Sequence, residues 1–219
     1  MKKIILIALL LSITSASFAR SVTINTQPSH ARIFVGGQEV GTGTAVVRLP
    51  RQGTVLLRFT AEGYHPREAR LSRAQAQRVM LYRLDFDEAT ANSIGGDVAL
   101  IANRWTTITV REDMTEDVVW RRLMSVVQRH FEDAIEVRDR AAGVIRTSWV
   151  TRQFHHETVR TRLEIRPDFS QESLAYEVRL TSEIRWNWAG SEGWRRWDRV
   201  LRRYENTISD IQAAVAGGE

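Results

Sequence analysis

The sequence predicts an all-β sandwich followed by an α+β domain with an antiparallel sheet around a long C-terminal helix. Three observations carry this. Between residues 20 and 84, short apolar runs of period two are split by Gly and Pro. From residue 105 onward, apolar residues recur first at helical spacing, then at strand spacing, then at helical spacing again. Before residue 20 stands a segment unlike either, with the features of a cleavable export signal. The expected boundaries are 1–19 for the signal peptide, 20–84 for the sandwich, 85–104 for a connector and 105–216 for the α+β domain.

The signal reading rests on Met1-Lys2-Lys3 as a positive start, an apolar run from Ile4 to Ile13 broken only by Ser12, and small residues at Ser17 and Ala19. That run of about ten residues is short for a bilayer span. Cleavage is expected near Ala19, placing the mature chain in the periplasm or outside the cell. The chain has no cysteine, which removes disulfides, thiolate metal sites and a cysteine-borne lipid anchor. No later segment is long and apolar enough to predict a transmembrane helix.

Charge is unevenly placed. Residues 20–84 carry a net +7 with only three acids, Glu39, Glu62 and Glu68, whereas residues 85–219 carry −4. A basic first half suits an anionic envelope polymer, lipid headgroups or an acidic protein surface, with binding that weakens as salt is raised. Arg48, Arg51 and Arg58 are its candidate contacts. The overall basicity invites nucleic acid, but the export signal and the acidic second half argue against it, and no nucleic-acid motif is present.

In the first module, Val22–Asn25, Ala31–Val35, Val46–Leu49, Thr54–Thr60 and Arg78–Leu84 read as strands, and Gly36-Gly37 as a tight hairpin turn. The order Val22-Thr23-Ile24, Pro28-Ser29-His30-Ala31, Arg32-Ile33-Phe34-Val35, Gly37, Val40-Gly41-Thr42 and Gly63-Tyr64 resembles a PEGA domain. The resemblance covers about fifty residues. Ser29 and His30 depart from the namesake motif, and Gly43 stands where the family usually has proline. It implies a small extracytoplasmic β-sandwich acting as an accessory module, with no catalytic residues.

In the second domain, Trp105–Val110 alternates as a strand. Thr115 then stands at the cap position of a helix, with Glu116 and Asp117 suited to its positive end. Trp120, Leu123, Met124, Val127 and Phe131 form that helix's apolar face. Strands are expected over Ala134–Arg138, Val144–Val150, Val159–Arg166 and Leu174–Ile184, with an Arg-rich wet face. Trp194, Trp197, Leu201, Tyr204, Ile208, Ile211 and Val215 alternate spacings of three and four, predicting a final helix of roughly six turns. With Trp120-Arg121-Arg122-Leu123, Val137-Arg138-Asp139, Gly143-Val144-Ile145 and Trp149, this order resembles the BamC-type helix-grip fold.

Candidate sites are few. His155-His156-Glu157 could hold zinc, but adjacent strand residues point to opposite faces, and the helical His-Glu-x-x-His spacing is absent. Exposed histidines at a hairpin tip are the expectation, with no metal and no cofactor. Asp85, Asp87 and Glu88 lack the glycine and distal glutamate of an EF-hand loop. There is no Gly-x-Ser-x-Gly elbow and no phosphate-loop lysine after Gly41-Thr42-Gly43. Trp186 and Trp188 share a strand face and are the second candidate binding pair, suited to a sugar ring or a protein. The expectation is a non-catalytic envelope protein that binds an envelope partner or surface. The alternatives are a small periplasmic hydrolase or carbohydrate-active enzyme, and a spacer without a ligand.

Overall fold

The computed structural model describes residues 20–95, 102–187 and 193–216. The expected signal peptide and Trp188 lie outside the described residues. The chain divides into two compact units, residues 1–86 and 87–219, and is mostly β.

The first unit contains β1 (Arg20–Gln27), β2 (Arg32–Val35), β3 (Gln38–Thr42), β4 (Thr44–Leu49), β5 (Thr54–Thr60), β6 (Arg67–Ser72) and β7 (Val79–Arg83). Three strands pair in the order β4-β1-β7 and four in the order β3-β2-β5-β6. Alternation decides which side of each strand is buried. Val22 and Ile24, Val47 and Leu49, Ile33, Leu57 and Phe59, and Leu71 all join one apolar cluster, and the ring of Phe59 stacks on that of Tyr82 at 4.5 Å. Gly36 and Gly37 form the two-residue β2–β3 turn, both with positive φ (57° and 88°). Gly43 also has positive φ, 70°, and a Cβ there would lie 2.1 Å from the carbonyl oxygen of Ser29. Proline, fixed near −65°, does not fit this backbone. β6 was not expected: its sequence is charged, and only Ala69 and Leu71 face inward.

The second unit begins inside the expected connector. Residues 88–94 are structured as α1 (Glu88–Ala91) and β8 (Ser93–Ile94). There follow β9 (Thr106–Thr109), α2 (Glu116–Phe131), β10 (Ile135–Asp139), β11 (Val144–Thr147), β12 (Val150–Gln153), β13 (Glu157–Pro167), β14 (Ala175–Trp186), β15 (Arg195–Arg196), β16 (Val200–Leu201) and α3 (Thr207–Val215). Thr115 holds the cap position of α2 without a side-chain hydrogen bond. β13 and β14 form a long central hairpin in continuous register from Glu157↔Trp186 to Pro167↔Tyr176. Each outer edge of this hairpin is served by two short strands. β11 and β12 line β13; β9 and β15 line β14.

Two expectations fail for identifiable reasons. The strand expected over 144–150 breaks after Thr147. The Thr147 hydroxyl accepts the buried Leu163 N–H at 2.9 Å, and Ser148 N–H donates to Ala134 O at 2.7 Å. The long final helix is also absent, and α3 spans only nine residues. Upstream, backbone groups that a helix would use internally are taken by the sheet. Trp197 N–H donates to Ser182 O at 2.9 Å, and Trp197 O accepts from Asn103 Nδ2 at 2.6 Å. Val200 and Leu201 pair with β8. The spacing of the seam still reports burial: Trp197, Leu201, Tyr204, Ile208, Ile211 and Val215 are all buried.

The space between helices and sheet is filled. Leu123 and Val127 of α2, Ile211 and Val215 of α3, and Val159, Leu163, Val178 and Leu180 of the hairpin are fully buried. The ring of Tyr204, in the 3-10 turn before α3, stacks on Phe131 at 4.6 Å.

Candidate functional site

Because the odd positions of β13 face the helices, its even positions face away from them. Thr158, Arg160, Arg162, Glu164 and Arg166 stand across from Arg185, Glu183, Thr181, Arg179 and Glu177 of β14. This register sets cations beside anions. Arg160 meets Glu183 at 2.5 Å, Arg179 meets Glu164 at 2.5 Å, and Arg166 meets Glu177 at 2.7 Å. Such cross-strand pairs on a half-exposed face are each worth about 0–1 kcal/mol, so the face is ordered more than it is stabilised by any one of them.

Three tryptophans complete the face. Trp105, Trp149 and Trp194 each stand immediately before a flanking strand, β9, β12 and β15 respectively. Arg166 and Arg179 both lie 4.2 Å from the Trp105 ring. Arg160 lies 4.2 Å from both Trp149 and Trp194, standing between them. Arg162 lies 4.6 Å from Trp149, and Arg185 4.8 Å from Trp194. Cation–π attraction of about 0.5–1 kcal/mol per pair holds these indoles in place. The interrupted strand at Thr147 is what puts Trp149 at the head of β12 rather than inside a continuous strand.

At one end the lattice opens. An open cleft of about 680 Å³ is lined by Thr151, Gln153, Thr158, Arg185, Trp186, Asn187 and Gly193. Asn187 is held on both sides: its Oδ1 accepts from the Thr158 hydroxyl at 2.6 Å and its Nδ2 donates to Phe154 O at 2.9 Å. Arg185 differs from Arg160, Arg166 and Arg179, because no carboxylate among the described residues lies within ion-pair distance of it. A guanidinium braced by an indole, beside fixed amide and hydroxyl groups, can receive a carboxylate or a peptide backbone.

The expected site residues are dispersed. Trp186 lines this cleft from the end of β14, opposite Glu157 in the register. Arg58 lies on the outer face of the four-stranded sheet, in a groove of about 420 Å³ with Arg32, Phe34, Leu56 and Glu68. There Arg32 is tied to Glu39 at 2.5 Å, which lowers the Glu39 pKa by a direct hydrogen bond. Arg48 lies on the outer face of the three-stranded sheet, and Arg51 in the turn after β4. Of these candidate contacts, Arg48 and Arg58 are therefore on different sheets and Arg51 is on neither. Net charge along a sequence does not encode which sheet each strand joins.

One buried acid was not singled out for its burial. Glu157 is only 1% exposed, and its pKa is raised to about 7, first by burial and then by the charges of Asp87 and Glu88. Asp87 accepts from Thr90 N–H at 2.8 Å at the start of α1, and Glu88 accepts from His155 N–H at 3.2 Å. His155 is exposed and lies in the turn before β13, with its ring edge-on to that of His156 at 4.4 Å. His155 is thus not on a strand face shared with Glu157.

No protein-family model matches the chain, and no curated protein matches it. Among solved structures it is similar to a Bacteroides fragilis protein of unknown function, proposed to be membrane-associated. The two are 11% identical, the match covers 75% of this chain and 96% of that one, and the TM-score is 0.26. At that TM-score the likeness carries no argument about this chain.

Proposed function

We propose that the chain is an exported, non-catalytic envelope protein that recognises a partner protein through the outer face of the β13–β14 hairpin. The reading treats the first unit as a PEGA-like β-sandwich, supported by its two sheets around one apolar cluster. It treats the second as helix-grip-like, supported by two helices packed on one side of an antiparallel sheet. In this reading the protein works in the periplasm or outside the cell, after cleavage near Ala19.

The observation that carries the proposal is the Trp–Arg–Glu lattice ending in the cleft at Arg185. Trp and Arg are the residue types that dominate binding energy at protein interfaces, and here they are preorganised. The filled space between helices and sheet favours recognition on the surface over a ligand held inside. The hydrolase alternative retains one specific observation, the buried Glu157 with its raised pKa.

The test is retention of an envelope component on the immobilised chain. Arg185→Ala and Trp194→Ala should each reduce retention about tenfold, as removal of interface anchors does. Undiminished retention by both variants would overturn the assignment of the site.

A further inference from the structure

The three-stranded sheet of the first unit has an outer face of a different kind. Across it, Val46, Thr23 and Val79 form one row, and Thr44, Asn25 and Leu81 the next. Val46 is 67% exposed, Val79 51% and Leu81 55%, although each sits in a regular strand. From strand spacing, Val46 and Val79 stand about 10 Å apart and Val79 and Leu81 about 7 Å apart. Arg48 adjoins Val46 on β4, and Arg83 adjoins Leu81 on β7, so a cation stands beyond each end of the apolar rows. Neither arginine has an ion-pair partner among the described residues.

None of the three strands carries an acid. Of the carboxylates in the first unit, Glu39 is on β3, Glu68 on β6 and Glu62 between β5 and β6, and Asp85 follows β7 two residues beyond Arg83. The outer face lacks aromatic rings too, since every outward position on these strands is aliphatic, polar or arginine. A sugar polymer is recognised by ring stacking, and a protein interface is anchored mainly by Trp, Tyr and Arg with Val and Leu under-represented. Exposed aliphatics flanked by unpaired arginines fit another surface: aliphatics reach the acyl boundary while guanidinium groups meet headgroup phosphates.

We infer that the outer face of the β4-β1-β7 sheet docks on a bilayer surface containing anionic phospholipid. This rests on the reading of the chain as an exported envelope protein and goes beyond it by giving the first unit a surface of its own. It concerns a face distinct from the β13–β14 lattice, so either assignment can fail alone.

The experiment is vesicle co-sedimentation with a chain beginning at Arg20, which contains every described residue. Phosphatidylglycerol–phosphatidylethanolamine vesicles should carry the chain down, and phosphatidylcholine vesicles should not. The double variant Val46→Asp/Leu81→Asp should lower partitioning about tenfold or more, since it removes two aliphatics and adds two like charges. Because both positions are exposed, its circular-dichroism melting curve should match the wild type. Arg58→Glu, on the other sheet, should change partitioning by less than about twofold.

A wild-type chain left in the supernatant with anionic vesicles would overturn the inference. So would a double variant that sediments like the wild type, or a loss in Arg58→Glu equal to that in the double variant. A polycation that covers the anionic headgroups should release the bound chain, and raised salt should weaken its partitioning. If sedimentation fails while retention of an envelope component still depends on Arg185, the docking face alone is wrong.

Discussion

Replacing Tyr204 with alanine will cost the second unit about 4 kcal/mol, in the range of aromatic truncations in a filled core. The ring is 1% exposed and stacks on Phe131 at 4.6 Å with an interplanar angle of 13°. It occupies the place where the chain passes from β16 into α3, so its loss leaves a cavity between both helices and the sheet. Tyr204→Phe should behave oppositely. Among the described residues no group hydrogen-bonds the buried hydroxyl, and deleting it should leave stability unchanged or raise it by about 1 kcal/mol. The readout is available in the intact chain: all seven tryptophans lie between Trp105 and Trp197, so indole fluorescence during denaturant unfolding follows the second unit alone. A Tyr204→Phe variant as unstable as Tyr204→Ala would contradict this account of the core.

Stability of the second unit should fall as pH rises from about 4.5 to above 7, by on the order of 3 kcal/mol from Glu157 alone. The sign follows from the raised pKa. The folded chain holds the Glu157 proton up to about pH 7, whereas the unfolded chain releases it near the ordinary value of about 4.3. Between those values the native state binds more protons than the unfolded state, so each step upward in pH disfavours folding. The contribution is complete below the unfolded value and lost as pH passes through the folded one. Burial is the main cause, and Asp87 and Glu88 add to it by like charge. Glu157→Gln carries a permanently neutral group and should flatten this part of the profile. The quantity to measure is the difference between wild type and variant across the pH range, which removes what other groups contribute. A difference that stays constant between pH 4.5 and 8 would show that Glu157 titrates normally.

Much of the fold could be read from period and turn chemistry. The Gly36-Gly37 turn, the apolar face of α2 and the alternation of Val159, Leu163 and Ile165 each follow from local rules that the tertiary structure also satisfies. The final helix did not, because spacings of three and four mark burial and do not by themselves mark a helix. Residues 197–204 meet that spacing while their backbone pairs with Ser182, Asn103 and β8. β6 escaped notice for the converse reason: it buries too few apolar side chains to display a period. The candidate site was half legible. The Arg-rich outer face was expected, and Trp186 lines the cleft. The roles of Trp105, Trp149 and Trp194 were not, because the helical seam claimed Trp194 for the core. A usable signal was present: each of the three directly precedes a short run of strand formers or arginines, and β13 and β14 carry arginines at alternate positions. That combination places indoles over guanidinium groups once the hairpin forms.

The central claim is that the outer face of the β13–β14 hairpin is where a partner is recognised. In-cell photo-crosslinking from Gln153, an exposed residue lining the cleft, tests it most directly, with Arg121 on the exposed side of α2 as the comparison position. Residues 20–219 contain no lysine, so a photoreactive side chain replaces amine chemistry. The account predicts a defined protein adduct from Gln153 that disappears when Arg185→Ala is added, and no such adduct from Arg121. An adduct from Arg121 alone, or one from Gln153 that survives Arg185→Ala unchanged, would contradict it.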